Sequence, residues 1–239
     1  MTREDGGRVL TLRSPRAGAA PSNAVLLGRD RELTTLAAAA QACFEGRVPR
    51  FVAVRGPAGI GKTRLLEALR ARLAHDREID WLVGGAAPLG EVAPLGLLRS
   101  ADPAWLEAAT QDAGRGDRRA SFAAARRWLE ERAARRPVAL LLDDVQWADD
   151  VSCALLDDMR TNLDRLPILV VTFARDDRGP GSAGGPPGSE APAREPIGAD
   201  EVVTLGPLDA ASAEALARRL APAGRDDELR ELVGRAGGS

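Results

Sequence analysis

Phe51-Val52-Ala53-Val54-Arg55-Gly56-Pro57-Ala58-Gly59-Ile60-Gly61-Lys62-Thr63-Arg64 is the stretch that decides the fold. It opens with a short apolar run of the kind a buried parallel strand uses. It continues into Gly56 to Thr63, which fits G-x-x-x-x-G-K-[ST] at every fixed position. After Thr63, Leu65, Leu66, Leu69 and Leu73 recur at helical spacing, with Arg64, Glu67, Arg70 and Arg72 between them. The order is therefore strand, glycine loop, helix. Gly56, Gly59 and Gly61 let the backbone come close to phosphates, and the residues between them, Pro57, Ala58 and Ile60, contribute main chain to the same turn. Successive N–H groups and the helix N-terminus, where Arg64 also lies, make an anion cradle. In such a cradle Lys62 contacts the β- and γ-phosphates and the Thr63 hydroxyl coordinates Mg²⁺. A plain glycine turn before a helix is the bland alternative. Lys62 is the only lysine in a chain otherwise charged by arginine, the pattern of a GC-rich genome, so its retention points to chemistry.

A phosphate site needs an acidic partner for the metal. Pro137-Val138-Ala139-Leu140-Leu141-Leu142-Asp143-Asp144 is an apolar run ending in two carboxylates, as expected of a central strand whose C-terminal end faces a ligand crevice. Asp143 is the candidate Mg²⁺ ligand. Asp144 is placed to polarise an attacking water, although an aspartate reaches less far than a glutamate. Alone, the pair reads equally as a strand end and helix cap. Asp149 or Asp150 caps the next helix, which carries Leu155, Leu156, Met159 and Leu163. Trp147 packs under the site or shields it. A third strand, Pro167 to Arg175, brings Thr172 and Arg175 to the same edge, where Arg175 is a candidate contact for the γ-phosphate or a surface arginine after a strand.

Composition limits the remaining choices. The chain has 239 residues, 33 basic and 35 acidic, with 44 % hydrophobic and 28 % charged residues. That is a normal globular make-up and argues against a coat for nucleic acid or anionic membrane. No apolar run approaches the roughly 20 residues that span a bilayer, and Met1 to Leu12 lacks the apolar stretch of a signal peptide, so a cytoplasmic protein is expected. Cys43 and Cys153 are far apart in helix-like patterns and read as small core residues rather than a disulfide or zinc pair. The lone His75 reads as solvated near the end of the loop helix. Arg126-Arg127 and Arg135-Arg136 read as a solvated helix face.

The layout follows from these elements. Residues 1–24 read as a loose leader and 25–47 as a helix with Leu33, Leu36 and Ala40 inward. Ile79 to Gly85 is the second strand, and 86–117, with Pro88, Pro94 and Pro103, is an insertion with short helices. Arg118 to Arg135 is a helix with Phe122, Ala125 and Leu129 on one face. Residues 178–200 are Gly/Pro-rich and read as a disordered loop; Glu201 to Leu205 is the last strand. Strands separated by helices imply an α/β fold with a parallel sheet and right-handed crossovers.

Taken together these residues resemble the ATPase domain of the STAND class of AAA+-related P-loop NTPases, with the nearest likeness to the large ATP-binding LuxR-type, MalT-like bacterial regulators. The anchors are Leu26 to Leu33, the loop at 56–63, Leu141 to Asp149, the strand end at Thr172 to Arg175 and Leu205 to Leu208. The resemblance implies a sheet ordered 5-1-4-3-2, an adenine pocket lined by Leu27, Gly28 and Arg29, with Glu32 ordering that segment, and a γ-phosphate contact at Arg175. Gly28-Arg29 alone reads equally as a turn before a helix capped by Asp30. The likeness also implies an ATPase core over 25–207 followed by a helical lid. Asp209 to Leu220 and Asp226 to Val233 read as the first lid helices, and the family's Gly-x-Pro motif near Gly237 lacks its proline, so the lid of 208–239 is expected to be truncated. The implied activity is slow Mg·ATP hydrolysis coupled to self-association and control of transcription, with no nucleic-acid contact from this chain. The rivals are an assembly module that holds nucleotide without significant hydrolysis, and a P-loop kinase.

Overall fold

The apolar run 51–55 has the composition of a strand buried on both faces, and in the computed structural model it is one. The structure describes residues 26–74, 78–86, 94–111, 117–176 and 198–220. β1 (Arg50–Gly56), β2 (Asp80–Gly85), β3 (Val138–Asp143), β4 (Ile168–Arg175) and β5 (Glu201–Thr204) form one sheet in the order β2-β3-β4-β1-β5. Every pairing is parallel. Read from the other edge this is 5-1-4-3-2, the order the resemblance implied. The leader, His75, most of the Gly/Pro-rich loop and the second lid helix lie outside the described residues.

Helices cover both faces. α1 (Asp30–Gly46) and α2 (Lys62–Leu73) pack on one side, where Leu36, Ala40, Cys43, Leu65 and Leu69 are buried against Val54, Leu141, Val171 and Phe173. α3 (Gly96–Ala101), α4 (Pro103–Gln111), α5 (Arg118–Arg135) and α6 (Asp150–Asn162) cover the other. There Phe122, Ala125 and Leu129 meet Trp105, Leu140, Leu155 and Val170. The alternation of β3 explains the division. Val138, Leu140 and Leu142 serve one face, Ala139 and Leu141 the other.

The expected insertion is the pair α3 and α4, closed onto α5 by stacked Trp105 and Trp128 rings 5.5 Å apart and by the Trp105 indole N–H donating to the Ala125 carbonyl at 2.9 Å. Of the four arginines read as a solvated face, Arg127, Arg135 and Arg136 are exposed and Arg126 is half-buried. Arg126 pairs with Asp158 of α6, and Arg136 lies 3.6 Å from Asp80. Arg132 holds Asp80 through two bonds of 2.6 and 3.0 Å and stacks over Trp128. Its guanidinium is driven further toward the charged form chiefly by the hydrogen bond to Asp80. Asp80 opens β2 and is only 8 % exposed, so a charge there needs these partners. Cys43 is fully buried, but Cys153 is only partly so, and burial pushes the two thiols to about 12 and about 11. α7 (Ala210–Leu220) follows β5, and Ala213, Leu216 and Ala217 on its apolar stripe are half-buried.

Candidate functional site

The C-terminal ends of β1, β3 and β4 converge, and all the strongest sequence candidates lie there. β1 ends at Gly56, and the loop enters α2 through Gly59 (φ +74°) and Gly61 (φ +102°), left-handed positions that an L side chain rarely takes. A Cβ at either would meet nothing within 4 Å, so the glycines serve the turn and the approach of a ligand rather than packing. Lys62 opens α2 and is 7 % exposed. Its ammonium donates to the carbonyls of Gly56 and Pro57, both at 2.8 Å, so the charge lies along the loop. Arg64 stands on the first turn of α2, exposed.

Thr63 links the loop to β3. Its hydroxyl donates to Asp143 Oδ2 at 2.7 Å. Burial raises Asp143 above the usual carboxylate range; Thr63 pulls it down, the neighbouring Asp144 charge pushes it up, and the Asp144 N–H and Lys62 pull it down by less. A half-buried carboxylate beside a hydroxyl, with another carboxylate next in sequence, favours a cation. Among the described residues no group of three or more His, Cys, Asp or Glu is arranged to hold a metal by itself. Two protein oxygens suit Mg²⁺, which keeps waters and takes its other ligands from phosphates. Thr63 and Asp143 therefore fit such an ion.

Asp144 leaves the strand in the left-handed conformation (φ 52°), with its N–H donating to Asp143 Oδ1 at 2.9 Å. The turn throws the two adjacent carboxylates to different partners. Asp144 Oδ1 accepts from Gln146 Nε2 at 2.8 Å and lies 3.9 Å from Arg175 Nε. Gln146 Oε1 accepts the Arg175 backbone N–H at 3.0 Å. Gln146 was not among the sequence candidates, because its partners become neighbours only when β3 and β4 lie side by side. Thr172 is 6 % exposed and pairs with Leu142, so Arg175 rather than Thr172 stands at the mouth. Trp147 is half-buried, and its indole N–H is buried with no hydrogen-bond partner among the described residues.

Of the two aspartates that follow, Asp149 caps α6. It also does more. Its carboxylate accepts from Ser152 N and Oγ (2.8 and 2.5 Å) and from the N–H groups of Leu95 and Gly96 (3.1 and 3.0 Å). Burial alone would push its pKa up, but these donors together hold it below the usual carboxylate range. One side chain so joins α6 to the start of α3.

The segment before α1 closes the other side. Leu27 is half-buried. Arg29 is 5 % exposed and donates to Glu32 at 3.0 Å, to the Gly206 carbonyl at 2.6 Å and to the Ile60 carbonyl at 3.4 Å. It ties the segment to the loop and to the end of β5. Gly28 has φ +68°, and a Cβ there would lie 2.5 Å from the Ser212 side chain and 3.1 Å from Leu208. Only glycine allows α7 to sit this close. The α7 start is itself capped by Asp209, which accepts from Ser212 N and Oγ, both at 2.8 Å.

A strand–glycine loop–helix beside an acidic strand end defines a P-loop α/β domain. Residues 25–171 match the AAA ATPase domain, and the chain belongs to that family. Among solved structures it is similar to C. elegans PCH-2, at 14 % identity and a TM-score of 0.41, over 79 % of this chain and 45 % of that one. The similarity thus spans less than half of PCH-2. A comparison with curated proteins gave no match. Among the described residues no helix is long and apolar enough to cross a membrane.

Proposed function

We propose that this chain binds Mg·ATP between the 56–63 loop and the ends of β3 and β4 and hydrolyses it slowly, as the nucleotide-switch domain of a bacterial signalling or transcriptional regulator of the STAND type. The observation that carries the reading is the 2.7 Å contact from Thr63 to Asp143, which joins the phosphate loop to the acidic strand end. The finer assignment to regulators of that type rests on the likeness of Leu26 to Leu33 and Leu141 to Asp149.

In this reading the loop amides and Lys62 hold the β- and γ-phosphates, Lys62 turning from its two carbonyl partners toward the anion. Thr63 and Asp143 hold Mg²⁺, which when bound neutralises charge on the phosphate oxygens. Leu27, Gly28 and Arg29 line the base. Asp144 orients a water in line with the γ-phosphorus; an oxygen–phosphorus bond forms as the bond to the β–γ bridging oxygen breaks, and ADP leaves. The water proton passes toward Asp144 and ends on the released phosphate. Arg175 supplies positive charge to the γ-phosphate as negative charge develops. Residues 25–207 act as the core and α7 begins the lid, a division supported by the seat of α7 on Gly28.

Phosphate release with Mg²⁺, measured at low and high protein concentration beside Lys62→Ala, tests this. Turnover that rises with concentration and vanishes in the variant supports an ATPase completed by self-association, in keeping with a switch. Turnover equal in both chains contradicts it, and tight binding without turnover replaces it with an assembly module.

A further inference from the structure

Gln146 links the candidate water-orienting carboxylate to the main chain at the end of another strand. Its Nε2 donates to Asp144 Oδ1 and its Oε1 accepts the Arg175 N–H. Few residue types can do both. A carboxylate in its place keeps the acceptor, loses the donor and repels Asp144; an aliphatic residue offers neither group. The link ends on backbone that is well fixed. Arg175 is the strand partner of Gly56, and the next amide, of Asp176, donates to the Gly56 carbonyl at 3.1 Å. Asp144 is thereby tied, through Gln146, to the main chain beside the first residue of the phosphate loop.

Asp144 has a second tie to the same residue, the 3.9 Å approach of the Arg175 guanidinium, with both side chains roughly two-fifths exposed. The two ties differ in kind. The guanidinium is free to turn toward a better anion, and a γ-phosphate is one. The Arg175 amide belongs to the β4 main chain and does not move with the side chain. When Arg175 leaves Asp144, the Gln146 bridge remains.

We propose that Gln146 is a positioning residue: it holds the Asp144 carboxylate against the end of β4, in the orientation that directs the attacking water, once the Arg175 side chain has turned to the nucleotide. This rests on the Mg·ATP hydrolysis reading above. Gln146 touches neither nucleotide nor metal in this account. Its effect therefore falls on turnover and not on binding.

The experiment compares the 239-residue chain with Gln146→Ala and Gln146→Glu. A fluorescent ATP analogue gives Kd, phosphate release gives kcat, and thermal melting reports folding. The expected result is a fall in kcat of about tenfold or more in both variants, with Kd within about twofold and melting little changed. Gln146→Glu matters because it keeps the size and the acceptor of glutamine, so its loss of turnover is not a packing effect. Full turnover in Gln146→Ala overturns the inference, as does a loss of kcat matched by an equal loss of binding or of folded protein. Failure of the unsubstituted chain to bind or hydrolyse ATP overturns the hydrolysis reading and this inference with it, and that outcome is visible before any variant is made.

Discussion

Asp143 and Asp149 leave the same strand end six residues apart and are held in opposite ways. Asp143 accepts from the Thr63 hydroxyl and from the Asp144 N–H, and a second carboxylate follows it in the chain. Burial dominates, and its acidity is weakened. Asp149 is buried more deeply, at 7 % exposure, yet it receives four donors from two elements and its acidity is strengthened. Burial alone thus does not decide what a carboxylate is for. The balance of donors against desolvation does. Asp149 is satisfied by protein and builds the fold. Asp143 is under-supplied and suits a cation. The region around α3 and α6 is in this sense finished, and the edge formed by 56–63, 143, 144 and 175 is prepared for a ligand.

The contrast breaks most visibly at Asp143. Asp143→Ala is expected to cut Mg-dependent phosphate release by about a thousandfold while the melting temperature holds or rises, since the carboxylate removed is one that burial disfavours. A large loss of stability there would make Asp143 structural and erase the distinction. Next, Asp144→Asn should lower turnover by about a hundredfold with nucleotide affinity kept, read by phosphate release beside analogue binding. At Asp149 the effect moves to stability. Asp149→Ala removes the partner of four donors and is expected to cost about 2 kcal/mol, roughly thirtyfold in the unfolding equilibrium, by denaturant titration. The pH dependence has a definite sign. An aspartate lowered in the fold contributes stability that is present above its unfolded value and is lost as pH falls through the folded one. The gap between the wild-type chain and Asp149→Asn should therefore be full at pH 7 and shrink below about pH 4. Smallest is Ser152→Ala, about 1 kcal/mol, because the cap amide of α6 keeps its bond to Asp149.

How much of this was legible in the sequence depends on how far apart the partners lie. The phosphate loop, the acidic strand end and the α6 cap are local patterns, and they appear in the structure where the residue types put them. Asp149-x-x-Ser152 and Asp209-x-x-Ser212 carry the same cap signal, and both form it. The sequence shows no difference between them, since the amides of Leu95 and Gly96 reach Asp149 only through the tertiary fold. The same limit hid Gln146, whose role depends on β4 pairing with β3, and the seat of Ser212 on Gly28. It also made Arg126 read as solvated, because an arginine on a helix face looks alike whether or not an aspartate of another element stands opposite. The sheet order came from family likeness rather than from periodicity, which says which face is buried but not which strand is next.

The central claim is that the 56–63 loop and Asp143 together form a Mg-dependent ATP site. Calorimetric titration of ATP into the chain, with and without Mg²⁺ and beside Lys62→Ala, tests it most directly. The account predicts binding that weakens when Mg²⁺ is withheld and falls at least about a hundredfold in Lys62→Ala. Equal affinity in the wild-type and variant chains, or no binding by either, would contradict it.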